Sequence, residues 1–501
     1  MATRINSRRL LAWLFIPILL ISPATLSVAR AAAATPEAGA PFTITWSTAC
    51  ATPPAEAVAA LDYAAGLWGT WISSTVPIAV SACWTPNLTG GDALATGMPT
   101  EYVRNFPAAP LLNTAYPIAL ANALSGRDLN PARGDMTLQF KSDVAWSYAT
   151  ARGLTAGEDF IAVALHELAH GLGFAGNLYA DYGVGFCGDG LYGALYPCPT
   201  PYDWFAVDSS ATPLLDYFAA NDRYALAARL TGDAHFGGPN ALAAYGGPLK
   251  LYTPATWAWG SSLSHLDQTT FTGTANRLMT PSYSGVTRHP GAATLGIMQD
   301  LGWSRADGVA NLATAGAQVV GVGQTASFTG TLAWPAYAGQ NVTYTWTATE
   351  RTPIIHTGAK TVDSASLTWN TPGEKRITLT AAGGVGPVSA VRSVLAFDVA
   401  ASGPPTGKTE RLYTFNAALA PDTVGLPITY TWAATDKVPI THANSYLTYD
   451  GVTFSWDAPG AKAITVTASI GGAQMLAWHT IEITGAVPDK HVYLPLMLRE
   501  F

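Results

Sequence analysis

Two histidines four residues apart, His166 and His170, with Glu167 beside the first, stand in the stretch VALHELAHGLGFAGN from Val163 to Asn177. On a helix, positions i and i+4 share a face, so both imidazoles can point at one metal ion. Glu167 lies about 100° round the axis from His166, close enough to touch a water on that metal without joining the ligands. Zinc lowers the pKa of such a water toward ~7, and a carboxylate can take its proton as the water attacks a carbonyl. Glu167 is therefore the expected general base, later passing the proton to a leaving amine. The apolar neighbours Val163, Ala164, Leu165, Leu168 and Ala169 place these polar residues in a largely buried helix, where polar groups need partners.

A catalytic zinc site takes three protein ligands and keeps one position open. A glutamate from a later helix is nearly excluded, because none occurs between Glu167 and Glu350. A histidine six residues beyond His170 would complete a common pattern, but Gly176 stands there. Three histidines remain before the C-terminal repeats, His235, His265 and His289, together with the aspartates. Of these, His265 sits in GSSLSHLD, a short polar segment able to pass beneath the helix as a loop.

The elements that must hold these groups can be outlined. FTITW reads as a strand, Pro54 to Ile72 as a helix, and VPIAVSACW and DMTLQFKSDVAWSY as further strands. Thr155-Ala156-Gly157-Glu158 has the capping-box form, which predicts a helix from Thr155 through HELAH, ended by Gly171 and Gly173. From Gly176 to about Gly260 the chain is rich in Gly, Pro, Tyr and Asp, with a helical patch at Asn221 to Leu230. Trp204, Phe205, Phe218 and Phe236 argue that this segment is folded.

From Val309 the pattern changes to the alternation of strands, and it repeats. NVTYTWTATE at Asn341 is echoed by PITYTWAATD at Pro427, and LTWNTPGEKRITLTA at Leu367 by FSWDAPGAKAITVTA at Phe454. An offset of 86 to 87 residues fits a seven-stranded sandwich. Two immunoglobulin-like modules are expected, at 309–400 and 404–486. They resemble the polycystic-kidney-disease-type domains of exported enzymes, with a Tyr-x-Trp strand and a Pro-Gly turn.

The order of motifs before the repeats is similar to that of the leishmanolysin-type metzincins: HELAHGLGF, a long insertion, SSLSHLD, LMTP, then GIMQDLGW ending at Trp303. The resemblance covers about residues 40–305 and implies His265 as third zinc ligand and Met279 as the Met-turn residue. The implied fold class is an α+β metzincin-like catalytic domain followed by two all-β Ig-like sandwiches. The implied activity is that of a zinc metalloendopeptidase carrying one catalytic zinc and acting on protein or peptide substrates. Tyr283, four residues past Met279, is a candidate donor to a developing oxyanion. The competing reading is an exported adhesion or surface-binding protein whose protease-like domain is inactive. A zinc hydrolase acting on other amides or esters is a third.

Composition agrees with export. Charged residues are 12% of the 501, and the formal charge of −7 offers no basic stripe for nucleic acid. Arg4, Arg8 and Arg9, an apolar run from Leu10 to Ile21 and the small residues ending at Ala31 form the layout of a secretory signal over 1–31. No transmembrane anchor is expected after its removal. Secretion, with contacts to a cell surface or matrix through the repeats, is the expected setting. Four cysteines then read as two disulfides, Cys50 with Cys83 and Cys187 with Cys198. The tail 487–501 is too short to span a bilayer.

Overall fold

The computed structural model describes residues 39–88, 93–150, 157–181, 183–188, 195–283, 285–422 and 424–485. The expected signal 1–31, the tail 487–501 and the Thr155 cap lie outside them. Among the described residues, no helix is long and apolar enough to cross a membrane.

The N-terminal unit is built on a four-stranded sheet in the order Phe42–Trp46, Ile78–Thr85, Met136–Lys141, Ala95–Pro99. The first three strands run parallel, and Ala95–Pro99 closes one edge antiparallel to Met136–Lys141. Alternation sets the faces: Ile78, Val80, Ala82 and Trp84 are buried on one strand, and Met136, Leu138 and Phe140 on its neighbour. The helices Ala55–Trp71 and Phe160–Gly171 pack against each other, and the second also covers the edge strand and Met136–Lys141. Cys50 and Cys83 form a disulfide. Cys198 is also disulfide-bonded, while the side chain of Cys187, its expected partner, lies outside the described residues.

The helix bearing HELAH starts at Phe160, not Thr155. Gly157 takes a left-handed φ of +88°, and Glu158–Asp159 pair with Trp146–Ser147 as short parallel strands. The cap is Asp159, whose carboxylate accepts the Ala162 N–H at 2.7 Å. The described residues of the insertion after the helix form regular elements, with Phe205 and Phe236 buried, in keeping with its aromatic content. It holds a small sheet of Ala206–Val207, His235–Phe236 and Leu249–Lys250, and the helices Leu214–Ala219, Arg223–Leu230 and Pro239–Tyr245.

The C-terminal half is rich in β-sheet, and two of its cores are centred on Trp346 with Trp369 and on Trp432 with Trp456. The repeat extends to polar contacts. Trp346 Nε1 donates to Asp363 at 2.7 Å, as Trp432 Nε1 does to Asp450 at 2.7 Å. His356 and His442 hold the same two carboxylates.

No linker separates the two cores. The strand Val385–Ser402 pairs with Gly373–Gly383 in the first, and its last residues, Asp398–Ser402, pair with Asn416–Ala420 in the second. A loop of the N-terminal unit docks at this junction. Leu112 is buried in the second of these cores, Ser393 N–H donates to the Pro110 carbonyl at 2.9 Å, and Asn105 Nδ2 donates to the Gly425 carbonyl at 3.1 Å.

Candidate metal centre

His166, His170 and His265 are brought together as a potential metal-binding group. Their Nε2 atoms form a triangle with sides of 3.0, 3.1 and 3.2 Å. Each Nδ1 faces a main-chain carbonyl: Leu278 for His166 at 2.7 Å, Phe174 for His170 at 2.7 Å, and Ser261 for His265 at 2.8 Å. A carbonyl only accepts, so each Nδ1 carries the proton and each Nε2 turns a lone pair inward. Three converging lone pairs repel one another unless a cation lies among them. A tetrahedral ion with bonds of ~2.0–2.1 Å would set its nitrogens about 3.3 Å apart, so the donor set fits such an ion to within a few tenths of an ångström.

Electrostatics act in the same direction. Burial holds all three imidazoles below their ordinary pKa, His265 down to about 3, and mutual repulsion adds to this for His170 and His265. They are therefore neutral near pH 7, the form that ligates metals. Glu167 is buried beside them, and burial pushes its carboxyl up to about 8 against a hydrogen bond from the Gly97 N–H.

Several long-range contacts fix this arrangement. The site helix is braced by two indoles, Trp68 Nε1 on the Leu165 carbonyl at 3.0 Å and Trp303 Nε1 on the Leu172 carbonyl at 2.9 Å. The second contact gives the QDLGW segment a physical role. The His265 loop is held by Tyr202, whose hydroxyl donates to the Leu263 carbonyl at 3.1 Å, and by the Tyr252 N–H on the His265 carbonyl at 2.8 Å. Leu263 adopts φ +67°, a left-handed conformation that a branched residue keeps only where its surroundings over-determine it.

Gly176 explains why no ligand stands at that position. A Cβ there would lie 2.7 Å from Asp203 Oδ1 and 2.8 Å from Leu263 Cδ2, so the close approach of the loop delivering His265 leaves room only for glycine. Asp203 is fully buried and ties the chain after the helix, accepting the Asn177 N–H at 2.8 Å and the Thr200 N–H at 2.7 Å.

The remaining candidates lie as follows. Met279 is fully buried in the turn Arg277–Met279, and its carbonyl accepts the Leu266 N–H at 2.8 Å, joining that turn to the His265 loop. Tyr283 lines the same cleft as the histidines, but the groups acting on its hydroxyl are Asp159, Glu158 and Arg288 at the start of the site helix. His235 lies 3.7 Å from the Asp233 carboxylate and His289 packs on Trp71, so neither joins the cluster.

Sequence reasoning missed Asp159, Arg288, Asp203 and Gly97. Only Asp159 carried a local signal, as an acceptor directly before an apolar helical run. The histidines and Glu167 open on a cleft of about 640 Å³. One side of the cleft is the strand Ala95–Pro99, which occupies an edge of its sheet.

No curated protein matches this chain. Among solved structures, a marsupial T cell receptor is similar at 9% identity over 35% of this chain and 72% of that chain, with a TM-score of 0.15. Residues 310–395 match the PKD domain family. The chain thus contains a PKD domain within its β-rich C-terminal region.

Proposed function

We propose that this chain is an exported zinc-dependent endopeptidase of metzincin type, with His166, His170 and His265 holding the ion and Glu167 as general base. The observation that carries this reading is the inward triangle of three Nε2 atoms beside a buried carboxylate, open to a cleft. Zinc bound there supplies Lewis acidity and activates water near neutral pH. Glu167 is favoured in its ionised form, against the effect of burial, by a dication held by the histidines, and the carboxylate then accepts the proton released as the carbonyl is attacked and delivers it to the leaving amine. An extended peptide suits the cleft because an edge strand offers main-chain groups for β-addition. The low charge content and the arginine-then-apolar leader favour work outside the cell.

The experiment is a fluorogenic-peptide and casein assay on the purified chain, with and without chelator, beside Glu167→Gln. The expected result is turnover that chelator abolishes and zinc restores, with Glu167→Gln retaining zinc while losing most turnover. Undiminished proteolysis by Glu167→Gln would assign the base elsewhere. One observation favours a second reading, macromolecular contact through the β-modules: Leu476 and Trp478, alternate residues of one strand, are 61% and 69% exposed.

A further inference from the structure

This inference rests on the peptidase reading and concerns what the cleft selects. The segment leading into His265 carries Trp257 and Trp259, and Tyr179, which follows the site helix, stands against both. Its ring centroid lies 6.1 Å from Trp257 and 5.3 Å from Trp259, and the two indoles are 6.2 Å apart and nearly perpendicular. Trp259 lines the cleft that also holds the three histidines and Glu167, yet 60% of its surface is exposed.

An indole left this far in water forgoes the stabilisation of burial. Fixed by ring contacts, it presents a rigid apolar plate that loses little entropy when covered. The edge strand adds Met98, also lining the cleft and 50% exposed. Charge decides between apolar and cationic occupants. Among the described residues lining the cleft, Glu167 is the one carboxylate and Arg277 the one guanidinium. A substrate lysine or arginine would thus meet no counter-charge except the base itself.

We infer that Tyr179, Trp257 and Trp259 form an aromatic platform that selects peptides with an aromatic or long aliphatic side chain close to the scissile bond, Trp259 making the contact. Ser261 connects platform and metal site, since it follows Trp259 by two residues and its carbonyl holds His265. The platform therefore reads a side chain near the reacting carbonyl.

The test uses the full chain and quenched fluorogenic peptides that differ only in carrying Phe, Leu, Asp or Arg at each position flanking the cleaved bond. Phe and Leu peptides are expected to exceed their Asp and Arg counterparts in kcat/KM at one position. Trp259→Ala, with zinc content equal to wild type, is expected to shrink that ratio about two- to tenfold, while Trp259→Phe keeps most of it. A ratio unchanged in Trp259→Ala, or a preference for Arg, overturns the inference.

If wild type cleaves none of the peptides, the peptidase reading fails, but the platform is still read by binding. The same peptides are titrated onto the Glu167→Gln chain and followed by fluorescence anisotropy. Tighter binding of Phe than Asp, lost when Trp259→Ala is added, supports the platform. Equal binding, or none, rejects it.

Discussion

Arg288 grips both carboxylate oxygens of Asp159, at 2.9 and 2.8 Å, with both side chains nearly removed from solvent. Asp159 also caps the helix that carries His166, Glu167 and His170. The ion pair is thus a device for aiming the helix, and its two members are 129 residues apart in sequence. Removing one partner strands a buried charge, which costs about 3–5 kcal/mol. Arg288→Ala is expected to lower thermal stability by that order and to weaken zinc binding, read by calorimetry and by competition with a chelating dye. Unchanged zinc affinity in a destabilised protein would confine the pair to a structural role.

The ligand assignment separates two histidines by their surroundings. His265→Ala removes one corner of the Nε2 triangle, leaving two of the three proposed ligands where a catalytic zinc takes three. Dialysed His265→Ala is expected to retain little zinc by mass spectrometry, while His235→Ala, whose imidazole faces Asp233, keeps its full content. The reverse ranking would displace His265 from the site.

The clustering of His166, His170 and His265 was legible because the spacing of the first two is written into the sequence, and because few histidines compete once glutamates are absent. The start of the site helix was not. Thr155 and Asp159 are both competent caps, and the choice was made by a left-handed Gly157 and by pairing with Trp146–Ser147, neither of which is encoded locally. Asp203 and Arg288 act on partners distant in sequence, so no window of residues reveals them. The β-repeat was plain from its period, yet the expected break at 400–404 falls where a shared strand ends. Pro404 and Pro405 lack the N–H that would prolong that strand. They mark its end, which comes after the second module has already begun.

Gly97 tests how closely the edge strand must approach the site. A Cβ at this position would lie 2.2 Å from the Glu167 carbonyl oxygen, a clash of two main chains that no rotamer relieves. Gly97→Ala should push the strand off the helix, at a cost of about 1–3 kcal/mol. Peptide kcat/KM should fall while bound zinc stays stoichiometric, because the three imidazoles are oriented by the Leu278, Phe174 and Ser261 carbonyls, none of them on that strand. Zinc loss in parallel with activity would show that strand and ligands move together.

Asp363 supplies an acid-sensitive element in the first β-module. Burial alone would raise its pKa, but hydrogen bonds from Lys360, Trp346 and His356 outweigh it and hold the carboxyl below its ordinary range. A folded pKa below the unfolded value stabilises the protein fully above the unfolded pKa, near 3.9, and this stabilisation is lost as pH falls through the folded value. Asp363→Asn should therefore flatten the acid limb of the stability profile below about pH 4. Chemical denaturation across pH 2 to 6, set against wild type, reads the effect, and two parallel limbs would refute it.

Leu112 makes the docking of the N-terminal unit onto the β-modules measurable. It belongs by sequence to the N-terminal unit, between the short strands Tyr102–Val103 and Tyr116–Pro117, but it is buried in one core with Leu395, Phe397 and Val424. The neighbouring main chain is tied to the same place, with the Leu112 N–H on Ser393 Oγ at 2.6 Å and Asn113 Nδ2 on the Val424 carbonyl at 3.3 Å. Truncating a buried leucine costs about 2–5 kcal/mol. Here that loss falls on a contact between units rather than within one. Wild type is expected to unfold with the metal site and the modules in one transition, followed by zinc release and by tryptophan fluorescence. Leu112→Ala should separate the two signals, with zinc released at lower denaturant. Two signals already separate in wild type would show that the units are merely adjacent, and that the loop carries no coupling for the substitution to remove.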